Sequence, residues 1–200
     1  MDAVRAHLVR RDAQIVLLLT PPFDRMPQDP GYIKGYLPGI RENGGQYTHA
    51  AIWTVMALAR LGFGDDAMEL FHMLNPIRHA ETPEGRELYR VEPYVVAADV
   101  YGAAPHTGRG GWSWYTGSAS WMYRLALESL LGLKLEGDKL RLAPCLPAKW
   151  PGFKLRYRYR DTVYHINVVR DETAGQSDHV ISLMDDRREH RVELRYRRLQ

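Results

Sequence analysis

Three stretches of this chain carry more aromatic and hydrogen-bonding side chains than a solvent-facing loop needs. The first, GYIKGYLPGIRENGGQYTH over residues 31–49, interleaves Tyr32, Tyr36 and Tyr47 with Lys34, Arg41, Glu42, Asn43 and His49. Proteins hold sugars with this mixture: an aromatic face covers the C–H side of the ring, and planar polar groups bridge the hydroxyls. His49 falls in the first turn of the helix that follows, where backbone N–H groups favour an anion; a satisfied core histidine is the other reading. The second stretch, EPYVVAAD over residues 92–99, sets Glu92 and Asp99 seven apart, a spacing that stacks two carboxylates on one helix face. Paired carboxylates suit glycosidic acid–base work, yet Pro93 argues for a loop in which the pair serve as caps or ion-pair partners.

The third stretch, HTGRGGWSWYTGSASW over residues 106–121, has glycines at 108, 110, 111 and 117 that let backbone approach a ligand closely. Thr116, Gly117 and Ser118 immediately precede a helical pattern, so their N–H groups are placed to face an anion. The lysine and spacing of a nucleotide-binding phosphate loop are absent. Trp112, Trp114 and Tyr115 form a sugar platform or simply fill space. Together these loops suit a small anion beside a sugar.

The elements that position them come in two textures. Up to about residue 133 the apolar spacing is helical. Residues 2–14 predict a helix with Asp2 as its cap, and the apolar run Ile15 to Leu19 ends at Thr20-Pro21-Pro22. Residues 46–62 give the firmest helix: Ile52, Val55, Met56 and Ala59 recur at three- and four-residue steps, and Gly62 is placed to cap the end. Trp53, Ala57 and Leu61 extend its apolar surface, so burial on several sides is expected, as in the inner ring of a helical barrel. Further helices are expected over 65–74 and 118–131. Beyond 133 the period becomes two: residues 153–159 alternate strictly, and 163–169, 180–184 and 191–196 follow as strands of an antiparallel sheet or small sandwich. A few helices cannot close a ring, so the chain is expected to be a fragment or to assemble with something else.

Composition narrows the classes. Hydrophobic residues make up 45% and charged residues 26% of the 200, an ordinary globular balance. The net charge of +3 is concentrated late, at Arg156, Arg158 and Arg160 and at Arg191, Arg195, Arg197 and Arg198; alternating arginines on a strand make a solvated sheet face, and no nucleic-acid partner is expected. The single cysteine, Cys145, excludes an intrachain disulfide and a cysteine metal cluster, and reads as a buried, inert thiol. The Ile15–Leu19 run is too short for a secretory signal or a membrane span, so the expected location is cytoplasmic.

The segments GYIKGYLPGIRENGGQYTHAAIW, LNPIRHAETPEGRELYRVEPYVVAADVYG and PHTGRGGWSWYTGSASWMYR resemble the closing segments of glycoside hydrolase family ninety-four. The resemblance runs from the first helix to about residue 170, and the wording VVAADVYG and RGGWSWYTGSA is most similar to its cyclic β-1,2-glucan synthase branch. It implies an α+β chain: residues 1–133 as the closing helices of an (α/α)6 barrel, and residues 134–200 as a C-terminal antiparallel β-sandwich. It also implies inverting phosphorolysis of β-glucosides or β-1,2-glucan, with glucose 1-phosphate released, inorganic phosphate as co-substrate and no cofactor or metal. By resemblance, phosphate is bound by His49, Thr116 and Gly117, and sugar by Tyr36, Arg41 and Glu42. Two positions depart from the disaccharide phosphorylases: a subsite glutamine falls on Ala98, and an acceptor-side glutamate falls near Tyr32.

The family's general acid belongs to an upstream Asp-Trp-Asn-Asp-like stretch, and no such stretch occurs in this sequence. A further phosphate-binding arginine is also upstream. Loss of the acid alone removes a contribution of roughly 10²–10⁴-fold, so the chain by itself is expected to be inactive. The missing barrel segment is expected in the same full-length chain, which can be part of a larger inner-membrane synthase, or in a partner; a homodimer is compatible with this. The competing reading is a non-catalytic carbohydrate-binding or partner-docking module.

Overall fold

The computed structural model describes residues 1–175 and 179–197; Arg198, counted above with the basic tail, lies outside them. Helix α1 (Asp2–His7) is much shorter than the expected 2–14. Asp2 is its first residue rather than its cap, and its carboxylate accepts a hydrogen bond from Arg5 at 2.9 Å. The helix stops because the β-branched residues beyond it pair instead. Strands β1 (Val9–Arg10) and β2 (Ile15–Val16) form an antiparallel ladder with Val9 opposite Val16.

By internal contacts the chain divides into two units, residues 1–55 with 69–123 and residues 56–68 with 124–200. In the first, Ile15, Leu17, Tyr89, Ala97 and Val100 form a buried cluster. Strand β3 (Gln46–Tyr47) pairs antiparallel with β4 (Asp99–Val100), placing Tyr47 opposite Asp99. Val100 also bridges Gly110. One short ladder therefore gathers all three chemical loops.

Helix α2 (Thr48–Arg60) begins two residues later than expected, since Gln46 and Tyr47 belong to β3. Its Ile52, Val55, Leu58 and Ala59 are buried, while Trp53 is 51% exposed and Leu61, just past its end, 57%, so part of its apolar surface has no partner within this chain. After α3 (Gly64–Leu74) come two short helices that the apolar pattern did not announce, α4 (Pro76–His79) and α5 (Pro83–Tyr89). Asn75 and Thr82 cap them by accepting the N–H of Ile77 and Gly85, both at 3.0 Å, and a proline follows each cap. Helix α6 (Ser118–Arg124) continues as a π-helical turn over Leu125–Leu130, so the expected 118–131 helix is not α-helical throughout.

In the second unit, α2 ends as foreseen at Gly62, whose φ of 81° suits a residue without Cβ. Phe63 donates to the Leu58 carbonyl at 3.0 Å and Gly62 to that of Ala59 at 3.1 Å, the paired bonds of a Schellman cap. Strands β5 (Leu133–Glu136), β6 (Lys139–Leu142) and β9 (His179–Ser182) make one antiparallel sheet; the β5–β6 hairpin was not anticipated. The other sheet has β8 (Thr162–Arg170) at its centre, between β7 (Gly152–Tyr159) and β10 (Glu189–Tyr196). The β7–β8 pair is antiparallel, but β10 runs parallel to β8 with Val192 opposite Ile166, which corrects the all-antiparallel expectation. The reason is topological: β9 takes the chain to the other sheet before β10 returns. Leu140 and Leu142 from β6 share one core with Tyr164, Ile166 and Val168 from β8. Cys145 is only half-buried, not the buried thiol expected. The chain as a whole is a mixed helix-and-sheet protein.

Candidate functional site

The first loop is built around a residue that the sequence placed among its ligand-binding groups. Asn43 is fully buried; its amide nitrogen donates to the carbonyls of Phe23 and Tyr36, both at 2.8 Å, and its oxygen accepts the Phe23 N–H at 2.7 Å. Asn43 is thus the clasp of the loop, with its polar groups already spent. Gln46 is also buried, accepting the Val16 N–H at 3.0 Å. These two fix the backbone from which Arg41, Glu42, Tyr47 and His49 project.

Those four side chains wall a cleft of about 380 Å³, closed on its other sides by Ala98, Trp112, Tyr115, Thr116 and Gly117. Five of the six expected site residues therefore converge: Arg41, Glu42, His49, Thr116 and Gly117. Tyr36 is not a wall; it reaches the site through Arg41, whose guanidinium carbon is 5.6 Å from the Tyr36 ring centre and 3.7 Å from that of Trp112. Arg41 holds a left-handed backbone, φ 48°. Its Nη2, Glu42 Oε2 and His49 Nε2 are all buried with no hydrogen-bond partner. Three unpartnered polar atoms around one cleft are a costly arrangement for an empty protein and a suitable one for a polar ligand.

His49 is fixed by aromatics rather than by hydrogen bonds. Its ring lies nearly parallel to Tyr47 at 6.2 Å, meets Trp53 edge-on at 4.8 Å and is tilted against Trp121 at 5.5 Å. Burial, and after it the nearby Glu42 carboxylate, raise the Tyr47 phenol above its ordinary pKa. Thr116 Oγ1 accepts the Ser118 N–H at 3.0 Å and lies 2.7 Å from the Ser118 hydroxyl. Ser118 N–H is therefore not available to an anion, contrary to the expectation for all three residues of the turn. A methyl group built on Gly117 would meet nothing within 4 Å, so open space stands before this residue.

The carboxylate pair does not stack on a helix. Asp99 lies in β4 and is 1% exposed, whereas Glu92 stands in the irregular segment before it. Burial pushes the Asp99 carboxyl above the ordinary carboxylate value, opposed by the Trp112 N–H and the Arg41 charge. Gly111 makes room for it: a Cβ there would sit 2.2 Å from Asp99 Oδ1. Glu92 instead accepts hydrogen bonds from Ser113 Oγ at 2.8 Å and Trp114 Nε1 at 2.9 Å. Its own N–H, then these two donors, hold its carboxyl below the ordinary value. No sequence signal marked that link, which joins loops far apart in the chain.

A larger cavity of about 630 Å³ lies elsewhere in the same unit, beside α4 and α5. Its cations are spent on ion pairs, Arg11 with Glu69 and Arg78 with Glu81, and burial lowers the pKa of its His72 and His79. Among the described residues no cluster of three or more histidine, cysteine or acidic side chains is placed to hold a metal ion.

Comparison with known proteins gives this geometry a context. Residues 1–132 match the glycosyl hydrolase 94 superfamily catalytic domain, and residues 133–177 the glycosyl hydrolase family 65 C-terminal domain. The cyclic beta-(1,2)-glucan synthase NdvB of Rhizobium meliloti (strain 1021) is 53% identical over 88% of this chain, which covers 6% of that protein. The N,N'-diacetylchitobiose phosphorylase of Vibrio furnissii is 34% identical over 84% of the chain, and the solabiose phosphorylase of Paenibacillus borealis 29% over 76%. The chain spans 20% of each of these two phosphorylases. With the family model covering most of the chain, and enzymes acting on glycosides as its relatives, this protein belongs to the glycosyl hydrolase 94 superfamily.

Proposed function

We propose that this chain supplies the phosphate- and sugar-binding rim of a glycoside phosphorylase or cyclic β-glucan synthase active site. The observation that carries the reading is the cleft where Arg41, Glu42 and His49 each bury an unpartnered polar atom beside Thr116 and Gly117. In this reading His49, Thr116 and Gly117 take inorganic phosphate, and Arg41 and Glu42 take the sugar on the acceptor side. Tyr36 orients Arg41. The rim holds phosphate beside the anomeric carbon for inverting attack, and no cofactor is called for.

The general acid that protonates the leaving oxygen comes from outside this sequence, which contains no Asp-Trp-Asn-Asp-like stretch. The chain alone is then a half-site that does not turn over sugar. Its helices belong to an (α/α)6 barrel completed by a segment in a longer chain or in a partner, and its two sheets form a β-sandwich. The parent enzyme acts in the cytoplasm, free or within an inner-membrane synthase; no helix among the described residues is long and apolar enough to cross a membrane.

The test is thermal unfolding of the 200-residue chain with inorganic phosphate at millimolar concentration. Phosphate is expected to raise the midpoint, and His49→Ala to abolish the rise. An unchanged midpoint for the wild-type chain overturns the phosphate site. Release of glucose 1-phosphate from β-1,2-gluco-oligosaccharides by the purified chain alone overturns the half-site. Sugar binding without any phosphate response favours the non-catalytic carbohydrate-binding reading.

A further inference from the structure

Asp99 puts a carboxylate where the fold alone is better served by an apolar side chain. It is 1% exposed, β4 pairs it with Tyr47, and its backbone carbonyl accepts the Gly111 N–H at 2.8 Å. Its side chain lies against Gly111, where a Cβ would meet the carboxyl atoms at 2.2–2.6 Å. Oδ1 accepts the Trp112 N–H at 3.3 Å, Oδ2 is buried with no hydrogen-bond partner among the described residues, and burial raises the pKa of the group. A buried, half-satisfied carboxylate costs stability. Any segment that completes the barrel can bury this group further but cannot expose it.

What the carboxylate gathers gives the reason for its presence. Besides the Trp112 N–H, it draws the charge and the backbone N–H of Arg41, and all three oppose the rise in its pKa. Arg41 and Trp112 are also the two residues whose side chains stack, guanidinium over indole at 3.7 Å. One carboxylate therefore holds the backbones of both members of that pair, one from each loop. Arg41 keeps a left-handed φ of 48°, a conformation that a residue with a side chain holds only where its surroundings impose it. Arg41 and Trp112 both wall the cleft, and Arg41 Nη2 stays buried there without a partner. A small apolar side chain at position 99 could pack on Gly111 but has nothing to offer two N–H groups.

We infer that Asp99 is a positioning residue: it ties the Arg41 backbone to that of Trp112, setting the guanidinium over the indole with Nη2 left for a sugar hydroxyl in the cleft. The anchoring stands on packing within this chain. The link to a sugar rests on the cleft being a sugar site. Asp99 itself is not a wall of the cleft, so it acts through Arg41 rather than on the ligand.

The experiment has two arms, both on the full 200-residue chain. The first is NMR of the Arg41 side-chain protons without ligand, identified by their absence from spectra of Arg41→Lys. A guanidinium 3.7 Å over an indole lies in the shielding region of the ring, so these protons are expected upfield of ordinary arginine positions. The upfield shift is expected to vanish in Asp99→Ala and to shrink in Asp99→Asn, which keeps one acceptor oxygen and loses the charge. Gly111→Ala brings a Cβ to 2.2 Å from Oδ1 and displaces the carboxylate, so it is expected to reduce the shift as well. It gives a second reading should the thermal midpoint show Asp99→Ala to be unfolded. The second arm is calorimetric titration with a β-1,2-linked gluco-oligosaccharide, with the phosphate-induced rise in thermal midpoint measured alongside. Asp99→Asn is expected to weaken sugar binding roughly tenfold, the scale of one hydrogen bond to a charged group. The phosphate rise, assigned to His49, Thr116 and Gly117, is expected to remain. An upfield shift retained in both Asp99→Ala and Gly111→Ala overturns the anchoring. Unchanged sugar affinity in Asp99→Asn overturns the role toward the sugar. Loss of the phosphate rise together with the sugar affinity means general loosening and overturns the positioning role. A wild-type chain that shows the upfield shift but binds no sugar overturns the cleft as a sugar site and supports the anchoring alone.

Discussion

Replacing Asn43 with alanine removes three hydrogen bonds of 2.7–2.8 Å from a fully buried side chain and leaves two carbonyls and one N–H without partners. At about 1 kcal/mol for each bond lost, the expected destabilisation is about 3 kcal/mol, read as a lower urea midpoint with an unchanged slope. Arg41 and Glu42 stand on the backbone that Asn43 clasps, so the same variant is also expected to weaken any phosphate or sugar response. At this scale the sequence was informative about residue type and poor about role. Arg41, Glu42 and His49 were singled out from the polar and aromatic make-up of their loop, their roles came only from the resemblance, and the structure brings the three to one cleft. Asn43 looked the same and does something else, since only the fold reveals that its partners are the backbone of Phe23 and Tyr36. Glu92 stands in a loop, as Pro93 argued, but its partners Ser113 and Trp114 lie in another loop and gave no signal.

Among the elements, α2 was legible from end to end except for its first turn. Gly62 is the position where a side chain is least tolerable, because a left-handed φ of 81° is required to send the Phe63 and Gly62 N–H groups back to Leu58 and Ala59. Gly62→Ala is expected to cost about 1–2 kcal/mol, measured by thermal or urea unfolding. The short elements were not legible. α4 and α5 lack the length for an apolar period, and only their caps, Asn75-Pro76 and Thr82-Pro83, signal them. β3 and β4 are two residues each, too short for alternation to show, although their pairing brings the three loops together. The alternating strands β7 and β8 were plain, but a strand's pattern does not state which way its neighbour runs, so the parallel β10 was missed.

For the molecule as a whole, a tyrosine in the core of the first unit contributes an alkaline limb to stability. Tyr89 is 3% exposed, and burial raises its phenol from 10.0 to about 12. A folded-state value above the unfolded one means that the neutral form is bound more tightly in the native state. The corresponding stability is complete below pH 10 and is lost as pH climbs toward 12, by about 2–3 kcal/mol. Tyr89→Phe is expected to flatten this alkaline limb in unfolding curves taken at successive pH values. Tyr47 and Tyr157, also raised by burial, retain a smaller slope.

The parallel pairing of β10 with β8 has a consequence for how the protein is made. β8 is the middle strand of its sheet, yet one of its neighbours is the last strand of the described chain to be synthesised. Until Glu189–Tyr196 has left the ribosome, β8 is an open edge of eight consecutive unpaired positions, and its own Ile166 and Val168 lack the cover of Tyr196. Such an edge is a template for pairing with another nascent chain. The interval before β10 emerges is thus the one in which β8 is most open to such pairing.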